Sequence, residues 1–400
     1  MTTERAYRKE SYRTRFESEV LKVEPVAGDQ GWVLLEKTLF YPTAGGQPHD
    51  TGMLGDGRVV EVENRGDEVW HLVAGRLPEP GKHAVGLIDW ERRYRHMQRH
   101  SGQHLLSQAF VRAGPAFATV SVSLSGPVCT LDLAGDPNED DLRRAEHLAA
   151  EAVYANHEIC TFEVDESEVG RYPLRREPKV AGRVRLVQMG DWDTAACGGT
   201  HLKSTAEVGP VKLLRSQRVR GNQTRVQFCC GWEALEDYQR KHQVTTELAL
   251  DFSAQVAELP ARVAALQDEL AAAKRALDGA RARLAEQLAG TLLREATPGA
   301  GGRLVVWEGS EGALLRPLAR ALAAHQDVLA LLGASEGDKA RLLFARGAGA
   351  EGDMAALLRA VLPAIEGKGG GKPDMAQGSG GRAAGLSEAL EVARHMVLQE

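Results

Sequence analysis

The stretch RHSGQHLLSQAF, residues 99–110, places His100 and His104 four apart at the head of an apolar run. An α-helix turns once in about 3.6 residues, so the two imidazoles would stand one above the other on a single face. Leu105, Leu106, Ala109 and Phe110 continue the helix and give it an apolar side. An H-x3-H pair on a helix is a common metal clamp. It is equally the mark of two packed or surface histidines, so the rest of the chain has to decide.

A second pair lies in CGGTH, residues 197–201, where Cys197 and His201 are again four apart, around two glycines. Those glycines point to a tight turn or a helix entry. Thiolate and imidazole are the ligands zinc prefers, and the two pairs together offer His, His, Cys and His to one tetrahedral site. The competing reading makes Cys197 a nucleophile with His201 or His100 as its base. Four protein ligands usually close a structural zinc site, whereas a catalytic zinc keeps a position open, so the spacing alone does not establish hydrolysis. Cys129, Cys160 and the Cys229–Cys230 pair lie in apolar or strand-like stretches and are expected in the core.

Working outward, 400 residues suggest two or three domains, and 43% hydrophobic with 26% charged residues is not the composition of a disordered chain. The net charge of −6 argues against a generic nucleic-acid coat. Two locally basic stretches, RYPLRREPKVAGRVR (171–185) and KLLRSQRVRGNQTR (212–225), nevertheless suit a polyanionic substrate. No apolar run spans a bilayer, the first 15 residues lack an apolar signal segment, and five cysteines do not make a disulfide framework. The expectation is a cytoplasmic protein with no membrane partner.

The fold class is expected to be α+β. Residues 1–90 read as a small β-barrel carrying a tight glycine loop in FYPTAGGQPHD (40–50), and 91–235 as an α+β core. Residues 236–295 read as coiled-coil helices, with a seam of Val256, Leu259, Val263, Leu266, Leu270, Ala273, Leu277, Ala280 and Leu284. Pro260 kinks that helix or starts a second one. The seam would pair with a second copy of the chain or fold back on its own first half. ATPGAGG (296–302) is a linker, and 296–400 a C-terminal α/β domain containing the glycine run GKGGGKPDMAQGSGG (367–381). That run is either a linker or a loop presenting N–H groups to phosphate with help from Lys368 and Lys372.

RHSGQHLL and CGGTH, the latter preceded by GRVRLVQMGDWD (182–193), together resemble the editing domain of alanyl-tRNA synthetase and its free-standing relatives, the AlaX trans-editing proteins. FYPTAGGQ resembles the glycine-rich motif of the barrel that precedes that domain, and the 367–381 run resembles the signature of the synthetase's C-terminal domain. The resemblance covers nearly the whole chain in the family's order and points to a long-form AlaX protein. It implies hydrolysis of tRNA(Ala) mischarged with serine, or with glycine, at a Zn2+ site. With only about 90 residues ahead of the metal helix, aminoacylation is not expected.

By this resemblance His100, His104, Cys197 and His201 are the zinc ligands. Gln103 is the candidate for orienting water, and Thr119 and Ser121 are candidates for bonding the serine hydroxyl. Gly45, Gly46 and Gln47 form a loop facing the editing cleft or the acceptor stem. The C-terminal domain would bind tRNA or form oligomers, so that a homodimer would arise through it or through the coiled coil. Synthetases usually show H-T-A-T-H where this chain has H-S-G-Q-H. The alternative is a tRNA-binding protein with a purely structural zinc. The Gly-Gly-Gln of peptide-release factors has no other counterpart here.

Overall fold

The computed structural model describes residues 2–26, 28–177, 182–219, 221–299 and 301–399, which divide into two compact units, residues 1–247 and 248–400. It is a mixed α+β structure with several sheets.

In the first unit, six antiparallel strands close on themselves in the ring order Arg15–Pro25, Gln30–Leu35, Glu68–Gly75, Gly57–Arg65, Gly52–Leu54 and His83–Ile88. Their alternating apolar positions, among them Val20, Val33, Leu35, Val59, Val62 and Val73, fill the interior. His71 is buried there with them. Its Nδ1–H donates to the Val33 carbonyl at 3.1 Å and its Nε2 accepts from the Thr38 hydroxyl at 2.8 Å. Burial pushes its pKa down to about 4.

Helix α1, Trp90–Ala113, follows the ring directly and is buried on nearly every side. It packs between two antiparallel sheets. One has the strand order Val211–Val219, Gln223–Cys230, Cys129–Ala134, Thr119–Ser123; the other is Ile159–Asp165, Arg183–Met189, Asp193–Ala196. Met97, Leu105, Leu106 and Phe110 of α1 share one core with Leu131, Val226, Phe228, Val187 and Met189. Gly102 permits the approach, because a Cβ there would lie 2.8 Å from Cys230 Sγ. Helix α2, Glu139–Tyr154, completes this core with Ala145, Ala149 and Ala152, and starts at a capping box formed by Asn138 and Asp141. Helix α3, Trp232–Asp251, begins just after the last strand of the four-stranded sheet.

The second unit contains helix α4, Leu259–Arg294, which starts with Pro260 in its first turn. Pro260 therefore begins a helix and does not kink one. Of the expected seam, Val263, Leu266, Leu270, Leu277 and Leu284 are exposed, while Ala285 and Ala289 further on pack against Val305, Leu318 and Leu322. A six-stranded mixed sheet follows in the order Thr297–Gly299, Gly302–Gly309, Val328–Glu336, Lys339–Arg346, Met375–Gly380, Gly367–Gly371. It is flanked by helices α5 (Leu315–Ala323), α6 (Met354–Val361) and α7 (Leu386–Gln399).

The glycine run 367–381 is thus neither a linker nor an open phosphate loop. It is a β-hairpin whose strands pair from Gly367–Gly380 to Gly371–Ala376. The glycines serve close packing: a Cβ on Gly369 would come within 2.5 Å of the Gln377 carbonyl, and one on Gly380 within 1.9 Å of the Ile365 carbonyl. Among the cysteines, Cys129, Cys229 and Cys230 are buried as expected, but Cys160 is exposed on the outer face of its strand. No described helix is long and apolar enough to cross a membrane.

Candidate metal centre

α1 delivers His100 and His104 from one face, and the turn after strand Asp193–Ala196 delivers Cys197 and His201. One candidate ligand atom from each of the four lies within 4.8 Å of all the others. The imidazole centroids are 5.3 Å (His100–His104), 4.5 Å (His100–His201) and 4.8 Å (His104–His201) apart. Cys197 Sγ lies 3.2 Å from His100 Nε2 and 3.3 Å from His201 Nε2. The three histidines are buried and the cysteine half-buried.

The other ring nitrogen of each histidine faces a buried polar side chain. His100 Nδ1 lies 2.7 Å from Gln47 Oε1, and the Gln47 amide donates from Nε2 to Thr200 Oγ1 at 2.8 Å. With the amide so fixed, Oε1 can only accept, so His100 carries its proton on Nδ1 and turns the Nε2 lone pair toward Cys197. His201 Nδ1 lies 3.1 Å from Ser101 Oγ. His104 Nδ1 faces the buried carboxylate of Asp193 at 3.5 Å, longer than a hydrogen bond, and neither Asp193 oxygen finds a hydrogen-bond donor among the described residues. Burial lowers the pKa of His201 to about 3. Burial also opposes charge on His104, but Asp193 and Cys197 together raise it. Burial pushes the Cys197 thiol up, yet His100 and His201 outweigh it and hold the thiol well below its ordinary range.

A thiolate and three imidazoles with Nε2 turned inward form a donor set of three nitrogens and one sulfur, of the kind that fits zinc. Three buried groups, Gln47, Ser101 and Asp193, supply the outer contacts that such histidines require.

The turn that carries Cys197 and His201 is pinned from below. Arg185 donates to the carbonyls of Cys197 (2.7 Å), Gly199 (3.0 Å) and Arg8 (2.9 Å). Arg175 donates to the His104 carbonyl at 3.0 Å and lies 3.6 Å from Asp193. Two arginines of the basic stretch 171–185 are therefore spent inside the fold. Residues 178–181 of that stretch and Arg220 of the other lie outside the described residues. The two glycines of CGGTH differ in role. A Cβ on Gly199 would sit 2.1 Å from His100 Cε1, whereas one on Gly198 meets nothing within 4 Å.

The remaining sequence candidates fall into three places. Gln47 is fully buried and committed to His100 and Thr200, so it does not face a cleft. Gly45 and Gly46 are exposed and adopt positive φ, +56° and +84°. Their loop is fixed to the strand Thr119–Ser123 by a hydrogen bond from Leu124 N–H to the Gly46 carbonyl. Gln103 donates from Nε2 to Ser107 Oγ at 2.8 Å, and Thr119 Oγ1 donates to the same hydroxyl at 2.8 Å. Ser121 goes elsewhere, donating to Asp132 at 2.7 Å. A bulge between Asp132 and Leu133 shifts the register, so Thr119 opposes core residue Leu133 while Ser121 opposes Asp132. The structure joins Gln103 with Thr119 and separates Ser121 from both.

Sequence reasoning missed Ser107, Asp193, Ser101 and Thr200. It also missed a buried ion pair that fastens α1 to the glycine loop. Arg93 and Asp50 are fully buried, with Arg93 Nε 3.0 Å from both Asp50 oxygens and Nη1 donating to the Ser11 carbonyl at 2.8 Å. Asp50 closes FYPTAGGQPHD, and Asp193 closes GRVRLVQMGDWD, so both had been in view as the ends of motifs.

Comparison with known proteins places residues 184–231 in the threonyl and alanyl tRNA synthetase second additional domain. The alanine–tRNA ligase of Pyrococcus abyssi is 35% identical over 254 residues, covering 60% of this chain and 27% of that protein. The alanyl-tRNA editing protein AlaX-L of Pyrococcus horikoshii is 28% identical over 407 residues, covering 94% of each. The crystal structure of the C-Ala domain from Aquifex aeolicus alanyl-tRNA synthetase, 22% identical, covers 26% of this chain and 96% of that one at a TM-score of 0.24. The chain spans only 27% to 43% of the length of the first four ligases it matches. Along 94% of its length it resembles the alanyl-tRNA editing protein AlaX-L, and it shares with alanyl-tRNA synthetase the domain that holds Cys197 and His201.

Proposed function

We propose that the chain is a zinc-dependent aminoacyl-tRNA deacylase that hydrolyses tRNA(Ala) mischarged with serine, or with glycine, while sparing Ala-tRNA(Ala). The observation that carries this reading is the convergence of His100, His104, Cys197 and His201 with every histidine Nδ1 facing a buried partner. These four residues would hold the zinc. When bound, zinc would supply Lewis-acid polarisation to the ester or to the attacking water.

The protein's own groups do the rest. Gln47 keeps the His100 proton on Nδ1, and Ser101 and Asp193 face the corresponding nitrogens of His201 and His104. Gln103 spends its amide N–H on Ser107, which leaves its Oε1 free to accept a hydrogen bond from water. Thr119 donates to the same Ser107, so its own lone pairs are free to accept the hydroxyl proton of a seryl group. A site that bonds a hydroxyl rejects an analogue lacking it more strongly than an apolar pocket can reject one methylene. Gly45 and Gly46, fastened to the strand of Thr119, shape the adjoining wall. The C-terminal unit is read as a tRNA-binding or oligomer-forming part, with the exposed seam of α4 pairing to a second copy, and the cell compartment as the cytoplasm.

Four protein ligands also suit a closed structural site, so the second reading is a tRNA-binding protein without hydrolytic activity. The test is a time course of deacylation of Ser-tRNA(Ala) beside Ala-tRNA(Ala). Loss of serine alone supports the enzyme. Binding of both tRNAs with hydrolysis of neither favours the structural reading.

A further inference from the structure

We infer that a groove at the start of α1, outside the metal cluster, binds one unpaired nucleotide of a single-stranded RNA segment, stacking its base on Trp90 and holding its phosphate with Arg92. The groove, about 670 Å³, is lined by Trp90 and His96, by Arg58, Arg92, Arg95 and Arg99, and by the carboxylates of Asp89 and Glu91, among others. That the strand is RNA rests on the reading of the chain as a tRNA deacylase; the nucleotide chemistry rests on the groove itself.

Three features define it. Trp90 is 36% exposed, a large aromatic face left partly open to solvent. It is braced by Tyr12 and Tyr94, each 5.4 Å away between ring centroids, and both tyrosine hydroxyls donate to Glu207, at 2.6 and 3.2 Å. A rigid, half-open indole of this kind is a stacking platform that accepts any base.

Arg92 is the second feature. The other arginines of the groove are already paired: Arg58 with Asp89, Arg95 with Glu91 and Glu236, Arg99 with Glu233. Arg92 donates from Nε to the His49 carbonyl and forms no ion pair among the described residues. The four arginines are matched in number by Asp89, Glu91, Glu233 and Glu236, and Arg92 is the one guanidinium among them with no carboxylate partner among the described residues. That pattern suits one phosphate and not a long backbone track.

The third feature is His96. It is only 3% exposed, lines the groove, and its Nδ1 has no hydrogen-bond partner among the described residues. A buried polar group without a partner in the free protein is costly, and a ligand hydroxyl or phosphate oxygen would satisfy it. Burial and the surrounding Arg92, Arg99 and Arg93 hold it neutral, so the ring offers one donor and one acceptor. His96 stands one turn before His100 on α1, about 6 Å along the helix axis. A nucleotide seated here would lie close to a strand whose end enters the metal site.

The test is a fluorescence-anisotropy titration of the zinc-loaded full chain with a labelled 12-nucleotide single-stranded RNA. Trp90→Ala is expected to weaken Kd by roughly 5- to 100-fold, and Trp90→Phe to stay within about threefold of wild type. Arg92→Gln is expected to reduce the slope of log Kd against log salt by about 0.7, which Trp90→Ala leaves unchanged. No measurable binding by the wild type, or a Kd unaltered within twofold in a folded Trp90→Ala, overturns the inference. Displacement of the RNA by polyglutamate regardless of Trp90 also overturns it and assigns the groove to an acidic peptide. Trp90-dependent binding in a chain that hydrolyses no aminoacyl ester would keep this site and remove the proposed activity. Serine-selective hydrolysis with Trp90-independent binding would do the reverse.

Discussion

Replacing Gly199 by alanine should destroy the metal centre, and the structure gives the size of the conflict. The new methyl group would sit 2.1 Å from His100 Cε1, 2.4 Å from His100 Nδ1 and 3.1 Å from Gln47 Oε1. To reach an ordinary carbon–carbon contact of about 3.5 Å, the ring would have to retreat by about 1.4 Å. The turn cannot move away instead, because Arg185 holds the carbonyls of Cys197 and Gly199. Zinc–nitrogen bonds of about 2.0–2.1 Å tolerate errors of only about 0.2 Å. A shift of this size therefore removes His100 as a ligand and breaks its contact with Gln47 at once. Loss of an outer contact alone typically costs about 10–100-fold in metal affinity, so Gly199→Ala should weaken zinc binding by at least about 100-fold. Gly198→Ala has open space and should stay within about threefold of wild type. The assay is competition for zinc with a chromophoric chelator, with circular dichroism as a check on folding. Wild-type zinc affinity in Gly199→Ala would refute the reasoning.

Other expected outcomes follow from neighbouring contacts. Gln47→Leu should lower zinc affinity about 10–100-fold in the same titration without unfolding the chain, because His100 then loses the acceptor that fixes its tautomer. Asp50→Ala leaves the Arg93 guanidinium buried and unpaired, and urea unfolding should show a loss of about 3–5 kcal/mol. His71 has a folded-state pKa of about 4 against an ordinary 6.5. Below pH 6.5 the unfolded chain therefore takes up a proton that the folded chain refuses. Stability from this group is complete above pH 6.5 and falls as the pH drops toward 4, by about 2–3 kcal/mol. The drop in urea midpoint between pH 7 and pH 4.5 should thus be smaller in His71→Gln than in wild type, where His96 adds a loss of the same sign.

The four clustered residues were legible because helical spacing and ligand chemistry are local signals. His100 and His104 needed only the 3.6-residue turn, and CGGTH announced a tight turn by its glycines. The outer contacts were not legible, because Gln47 meets His100 across 53 residues and Ser101 meets His201 across 100, distances over which no periodicity runs. Thr119 and Ser121 look equivalent in an alternating strand, and only the register shift opposite Asp132 and Leu133 sends them apart. The basic stretch 171–185 suggested a surface for a polyanion, but Arg175 and Arg185 turn inward to carbonyls. Charge composition records neither direction nor burial. The glycine run 367–381 read as loop because glycine disfavours strands in general. Here the backbone contacts at Gly369, Gly371 and Gly380 are so close that only glycine fits at those positions.

The central claim is that His100, His104, Cys197 and His201 form one zinc site on which hydrolysis of the seryl ester depends. The most direct measurement is the initial rate of Ser-tRNA(Ala) deacylation as a function of zinc bound per chain, from stripped protein through stoichiometric reconstitution, beside Cys197→Ala. The account predicts a rate rising in proportion to occupancy, saturating at one zinc per chain, and lost in Cys197→Ala. A rate independent of zinc content in folded protein, or full activity in Cys197→Ala, would contradict it.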